Sequence, residues 1–494
     1  MDLVIGAGAE CREGLSPQSY TNPLVCATSI PTTCRSFAFY TPTLNRTTCP
    51  ADTPYNMFFQ RDHFAPHKSR KFEGYYTRTQ LEDGGTLAVI FCWVKHAKER
   101  GNYVHVSYTP SGTGVGPTQY LQRPPTPADT LSSRNHTLNA VPSAESVSAS
   151  LSRTSRSSFS PAPLAAFKYD FFPDKIDVVT SKPAQRGGHV SFTITAPGIG
   201  HMAVTADSIE YSIIVPEEHL RVHLVLDAHT LWSPASPLAG PMGGIMRLSW
   251  LLPLNWHVRS TGSRATYAVE HGRALIASKA YGEGRAHVEK NWGGSFPRGW
   301  IWAQAFSASE AGGGDPWGLN GEFGKGSSQQ RWRRSQDEDT EDHSERTFCI
   351  AGGKAFPGVQ AYLVGYRSQE CQWDFRPPYA VALGRFSPFL RVRHDSRQGE
   401  VELRVSNWRR KLDVVIEASP DTFMDMAAPL RGGHEPGFAH ESFRAKVHVR
   451  ASTRRWPGGK WTVVEECVLG QVGAVQCGAL EFGGSFYRKV DASE

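Results

Sequence analysis

The chain has 494 residues, enough for two or three domains with buried cores. Its 53 Lys and Arg against 47 Asp and Glu leave a net charge of +6, spread along the chain with no basic stripe of the kind a nucleic-acid-binding face needs. The 47 Gly and 33 Pro beside 25 Phe, 16 Tyr and 13 Trp favour short strands and tight turns over long helices.

No apolar run approaches the ~20 residues of a membrane-spanning helix. The N-terminus, MDLVIGAGAECREGL, lacks the basic start and long apolar core of a secretory signal. Residues 14–50 are rich in Ser and Thr and poor in acids, a transit-peptide composition apart from their few Arg, so a cytoplasmic or an organellar location is expected. The nine Cys are odd in number and include no CxxC pair, so neither a zinc site nor a disulfide framework is expected.

In chain order, residues 1–50 read as an irregular leader. Its LVIGAGAE stretch lacks a full GxGxxG and a following helix, and carries no dinucleotide site. From Phe72, FEGYYTRTQLEDGGTLAVIFCWVKH reads as two strands around a turn at Glu82–Gly85, with a third over Asn102–Tyr108. Residues 110–165, rich in Ser, Pro and Ala, bury too little surface to offset their chain entropy and are expected to be a disordered insertion. Strand patterns resume at Phe167 and include Val190–Ala196, His201–Tyr211 and Leu220–Leu226. His219, Arg221, His223, Asp227 and His229 recur at odd positions; this reads as the wet face of a half-buried strand rather than a metal site. The turn-rich stretch 234–244 suggests a boundary between a first β domain, 51–245, and a second, 246–490. The second contains a charged insertion at about 308–346. After Phe348, strands are expected at Val359–Gly365, Gly399–Val405, Leu412–Glu417, Phe443–Val449 and Trp461–Val468. The expected class is mostly antiparallel β, as two tandem barrels or sandwiches.

The most unusual segment is Ala286–Ser307, AHVEKNWGGSFPRGWIWAQAFS. Glu289, Lys290, Asn291 and Trp292 are consecutive, two Gly follow, and Trp300, Trp302 and Gln304 share one strand face by the period of two. From residue types alone, a surface turn with a local Glu–Lys pair and two indoles packed in a core is the favoured reading.

EKNWGGSFPRGWIWAQ resembles the EKNWG–FP–W–W–Q signature of the tocopherol cyclase family. Further similar elements occur in the same order: Thr53-Pro54-Tyr55 with Lys71-Phe72-Glu73-Gly74-Tyr75-Tyr76, Pro253-Leu254-Asn255-Trp256, Ala351-Gly352-Gly353 through Pro357-Gly358, Ala428-Pro429-Leu430 through Phe443, and Glu481-Phe482-Gly483-Gly484. The similarity spans roughly residues 53–485. Tyr75 stands where the family usually has Trp, and Asn255 where it has His. The resemblance implies a lipocalin-like β architecture and a cyclase, of the vitamin E biosynthesis type, that closes a chromanol ring on a prenylated hydroquinone without redox cofactor or metal.

Such a reaction protonates a trisubstituted alkene and lets a phenol oxygen capture the cation. It needs a buried acid, exclusion of water and electron-rich faces. Glu289 is the first candidate acid and Glu73 the second. Asn291 or Gln304 would orient the phenol, and Lys290, Trp292, Trp300, Trp302, Tyr75 and Trp256 would bind substrate. The expected partner is an apolar prenylated aromatic, which implies transient contact with a membrane surface. The competing readings are a non-catalytic lipocalin-like carrier of lipids or isoprenoids, and a secondary-metabolite cyclase for another prenylated aromatic or polyene.

Overall fold

The computed structural model describes residues 62–112, 164–182, 188–234, 236, 238–272, 278–307, 345–384 and 386–487. The leader, most of both expected insertions and the Thr53-Pro54-Tyr55 element lie outside them. Among the described residues, regular structure consists of β-strands and three short 3-10 helices.

Eleven strands form the first sheet: β1 (Phe72–Leu81), β2 (Thr86–Val94), β3 (Asn102–Thr109), β4 (Phe167–Phe171), β5 (Asp177–Thr180), β6 (Phe192–Ala196), β7 (Gly200–Val204), β8 (Ile209–Val215), β9 (Leu220–Thr230), β10 (Leu254–His271) and β11 (Ser278–Gly293). Their order is β4-β3-β2-β1-β11-β10-β9-β8-β7-β6-β5, antiparallel throughout. The second sheet begins with β12 (Gly299–Phe306), β13 (Thr347–Phe356), β14 (Val359–Arg367), β15 (Gln372–Phe375), β16 (Val381–Leu383), β17 (Leu390–Asp395) and β18 (Glu400–Ser406). It continues with β19 (Arg410–Ala418), β20 (Met424–Leu430), β21 (Gly433–Thr453), β22 (Thr462–Leu469) and, after the small ribbon β23 (Gln471–Val472) and β24 (Val475–Gln476), β25 (Gly478–Gly484). Its main path is β15-β14-β13-β12-β25-β21-β19-β18-β17, with β16 beside β14 and both β20 and β22 on β21. The mostly antiparallel β reading holds, as two curled sheets.

Each sheet encloses its own apolar core. On β9, Leu220, Val222, Leu224 and Leu226 point inward, while Arg221 and His223 are exposed, the alternation of a half-buried strand. Val401, Leu403 and Val405 of β18 repeat the pattern around the second core. The strands between the cores differ. β1 and β12 are buried along nearly their whole length because each contacts its own core with one face and the opposite sheet with the other. Tyr75 enters the first core and Tyr76 the inter-sheet cluster; Ile301 and Ala303 enter the second core, and Trp300 and Trp302 the inter-sheet cluster.

The turn-rich stretch 234–244 does not separate the two sheets. β10, which follows it, pairs with both β9 and β11, so the passage between sheets falls between Gly293 and Gly299.

Candidate active site

Between the facing sheets lies a pocket of about 850 Å³, its open mouth included. Phe72, Tyr76, Ile90 and Tyr103 line it from the first sheet; Trp300, Trp302, Met426 and Ala439 line it from the second. Glu289, Asn291 and Glu481 supply its polar groups.

Strand register assembles two rows that face each other. In the first sheet, Ile90, Tyr76 and Glu289 stand side by side across β2, β1 and β11. In the second, Trp302, Glu481 and Glu441 stand side by side across β12, β25 and β21. The rows are joined crosswise: the Tyr76 hydroxyl donates to Glu441 Oε1 at 2.5 Å, and Trp302 Nε1 donates to Glu289 Oε2 at 2.9 Å. The Tyr76 and Trp302 rings meet edge to face with centroids 5.0 Å apart. Trp300 Nε1 donates to Glu481 Oε1. The indole of Trp300 lies directly over Gly483, where a Cβ would come within 2.0–2.2 Å of the ring.

Three carboxyl groups thus share one buried region. Glu289 is ringed by donors: besides Trp302, His287 Nε2 lies 3.0 Å from Oε2 and Asn291 Nδ2 donates to Oε1 at 3.3 Å. Glu441 has less support, since its Oε2 has no hydrogen-bond partner among the described residues. Burial and then the adjacent Glu481 charge raise the Glu441 carboxyl well above its usual range, against the opposing pull of the Tyr76 hydrogen bond and Arg78. Glu481 is half-buried by exposed area because it lines the pocket, yet protein atoms surround it densely. Burial, opposed by the Trp300 hydrogen bond and reinforced by Glu289, lifts it to about 7. Behind the cluster, fully buried Arg78 donates to Gln304 Oε1 and the Cys477 carbonyl.

The structure divides the residues singled out from the sequence. Glu289, Asn291, Trp300 and Trp302 line the pocket; Tyr75 borders it, but its ring packs into the first core against Phe64 and Phe192. Glu73, Lys290, Trp292, Trp256 and Gln304 do not line it. Alternation along β11 sends Lys290 and Trp292 to the face opposite Glu289, and the same rule on β1 places Glu73 with them. There Lys290 Nζ lies 2.6 Å from Glu73 Oε1, and the His67 backbone N–H donates to both Glu73 oxygens at 2.8 and 3.0 Å. Burial raises the Glu73 carboxyl, but Lys290 and His67 outweigh it, and the net position is below the usual value. The Trp292 indole stacks on His67 at 4.4 Å, and Trp256 packs edge-on against Trp232 at 6.1 Å. Gln304 faces the other sheet but is occupied by Arg78.

Sequence reasoning did not single out Tyr76, Glu441 and Glu481 as site residues. Glu481 lies inside one of the quoted similar elements. Glu441 carries no local signal beyond a carboxylate within a strand-like run, because its pairing with Glu481 joins positions 40 apart in sequence.

No protein-family model matches the chain, and no curated protein matches it. Among solved structures it is similar to CghA in complex with Sch210972, at 9% identity over 84% of this chain and 88% of that one, with a TM-score of 0.41. It is also similar to kievitone hydratase from Nectria haematococca, at 8% identity over 86% of this chain and 93% of that one, with a TM-score of 0.40. At these scores the likenesses carry no functional conclusion.

Proposed function

We propose that the pocket is the active site of a cofactor-free cyclase that closes a chromanol-type ring on a prenylated hydroquinone or phenol, the chemistry suggested by the sequence resemblance to tocopherol cyclases. The observation that carries this reading is a carboxyl group, Glu481, whose titration is raised by burial to about 7 while it faces an aromatic, mostly apolar pocket, so that it keeps a proton well above the usual carboxylate range. A carrier of apolar ligands has no need of such a group.

In this reading Glu481 donates its proton to the trisubstituted alkene, and the tertiary cation forms beside the π-faces of Trp300, Trp302 and Tyr76. The phenol oxygen attacks the cation and closes the C–O bond. The phenolic proton passes to Glu289, whose neighbour Asn291 helps to orient the hydroxyl. Proton exchange within the carboxyl cluster restores Glu481. Substrate and product are isomers, so no electrons enter or leave. Glu73, paired with Lys290 on the opposite face of β1, holds the wall in place and takes no part in proton transfer.

The test is incubation of purified protein with a panel of prenylated hydroquinones, followed by chromatography with mass detection. A new product of unchanged mass that vanishes in Glu481→Gln and is strongly reduced in Glu289→Gln supports the assignment. Full cyclisation rates in both folded variants would sink it.

A further inference from the structure

The end of the first sheet that carries the pocket combines an apolar tip with a cationic rim. Phe72 and Leu254, the first residues of β1 and β10, line the pocket, and both pair with Gly293 at the end of β11. Immediately before β10, the 3-10 helix Gly243–Leu248 and the turn after it hold Leu248, Trp250 and Leu251 at 51%, 69% and 55% exposure. This tip is ordered by its own bonds: the Ser249 N–H donates to the Met246 carbonyl, the Leu251 N–H to the Leu248 carbonyl, and Asn255 Nδ2 to the Ser249 carbonyl. Three large apolar side chains on one fixed turn are costly in water unless they have a use.

The neighbouring chain ends supply charge. Residues 68–71, just before β1, carry Lys68, Arg70 and Lys71, and the β2–β3 loop, 95–101, carries Lys95, Lys98 and Arg100, with Glu99 the one acid in these two stretches. They share the rim with the tip, because the Lys71 N–H donates to the Gly293 carbonyl, the Lys95 N–H to the Lys71 carbonyl, and the Gly294 N–H to the Pro253 carbonyl. Arg247 stands exposed beside Leu248.

We propose that this end of the molecule docks on an anionic lipid bilayer, with Leu248, Trp250 and Leu251 inserted at the headgroup level and the Lys/Arg rim against the phosphates. Trp is suited to that depth, its ring being apolar and its N–H polar. The tip alone buries little area, so the rim supplies the remaining attraction. Docking turns the pocket end toward the bilayer, so that a substrate dissolved in lipid passes in without crossing water. That last consequence rests on the reading of the pocket as a prenylated-aromatic site; the docking itself does not.

The test is flotation of the full chain with vesicles of phosphatidylcholine alone and of phosphatidylcholine with phosphatidylserine. The protein is expected to float with the anionic vesicles and to be released by high salt. The double variant Trp250→Ser/Leu251→Ser should bind roughly tenfold or more weakly, and Lys95→Glu/Lys98→Glu should lose the preference for phosphatidylserine. Equal flotation of wild type and tip variant, or retention on heparin without flotation, overturns the proposal. If docking fails while detergent-dispersed prenylated hydroquinone is still cyclised, only this inference falls. If the chain docks as described but turns nothing over, only the cyclase reading falls.

Discussion

Replacing Glu481 by Gln separates the acid role from any structural one, because the two predict opposite changes in stability. The side chain keeps its shape, and its amide oxygen still accepts from Trp300 Nε1. In the folded protein Glu481 sits near 7, against a reference of 4.5. A carboxyl raised on folding binds more protons in the native state than in the unfolded state between those values. The stability associated with it is therefore fully present below about pH 4.5 and is lost as pH rises through about 7. The difference of roughly 2.5 units corresponds to at most about 3 kcal/mol at pH 8. Glu481→Gln removes that penalty, so at pH 8 the variant should be more stable than wild type by up to about 3 kcal/mol while having no cyclase activity. At pH 4 the two should be nearly equal. Urea unfolding at both pH values, with cyclisation assayed in parallel, reads all three quantities. Wild-type activity should fall about tenfold per pH unit above about 7, as the protonated fraction does. A variant destabilised at pH 8, or one whose activity still follows the wild-type pH profile, would refute the reasoning.

Other substitutions probe the same arrangement. Trp300→Phe retains a ring in the pocket but removes the N–H that holds Glu481 down, so the alkaline limb of the rate profile should move up by about one pH unit. Gly483→Ala drives a Cβ into the Trp300 indole; an overpacking cost of about 1–3 kcal/mol in thermal or urea unfolding and a large fall in kcat are expected. Lys290→Met leaves Glu73 buried without its ammonium and should cost roughly 3–5 kcal/mol in urea unfolding. Because Glu73 is lowered on folding, the stability it contributes is present above about pH 4.5 and is lost as pH falls through its folded value, and Glu73→Gln should blunt that acid-induced loss.

The β class was legible because alternation on strands such as β8, β9 and β18 is a local property with a period of two. The passage between sheets was not. The Pro- and Gly-rich stretch at 234–244 resembles a linker, whereas the real crossing after Gly293 lies inside the densest motif of the chain and shows no change of composition. Glu289, Asn291, Trp300 and Trp302 could be picked out because they are unusual residues close together in sequence. Glu441 and Glu481 could not, because a lone Glu in a strand usually faces water, and only the pairing of β21 with β25 turns these two inward side by side.

The same alternation explains why neighbours in the EKNW run have unlike environments. Glu289 and Asn291 face the second sheet and the pocket; Lys290 and Trp292 face the first sheet's own interior, where Glu73 and His67 meet them. A slip of one residue in the pairing of β1 with β11 would exchange the two sets, putting the ammonium into the pocket and the Glu289 carboxyl group on the face where His67 lies. The buried Glu73–Lys290 pair opposes that slip, because an unpaired charge in either new position costs several kcal/mol. The ion pair therefore fixes the register that aims Glu289 and Tyr76 at Trp302 and Glu441, although it lies on the far side of the strand wall from them.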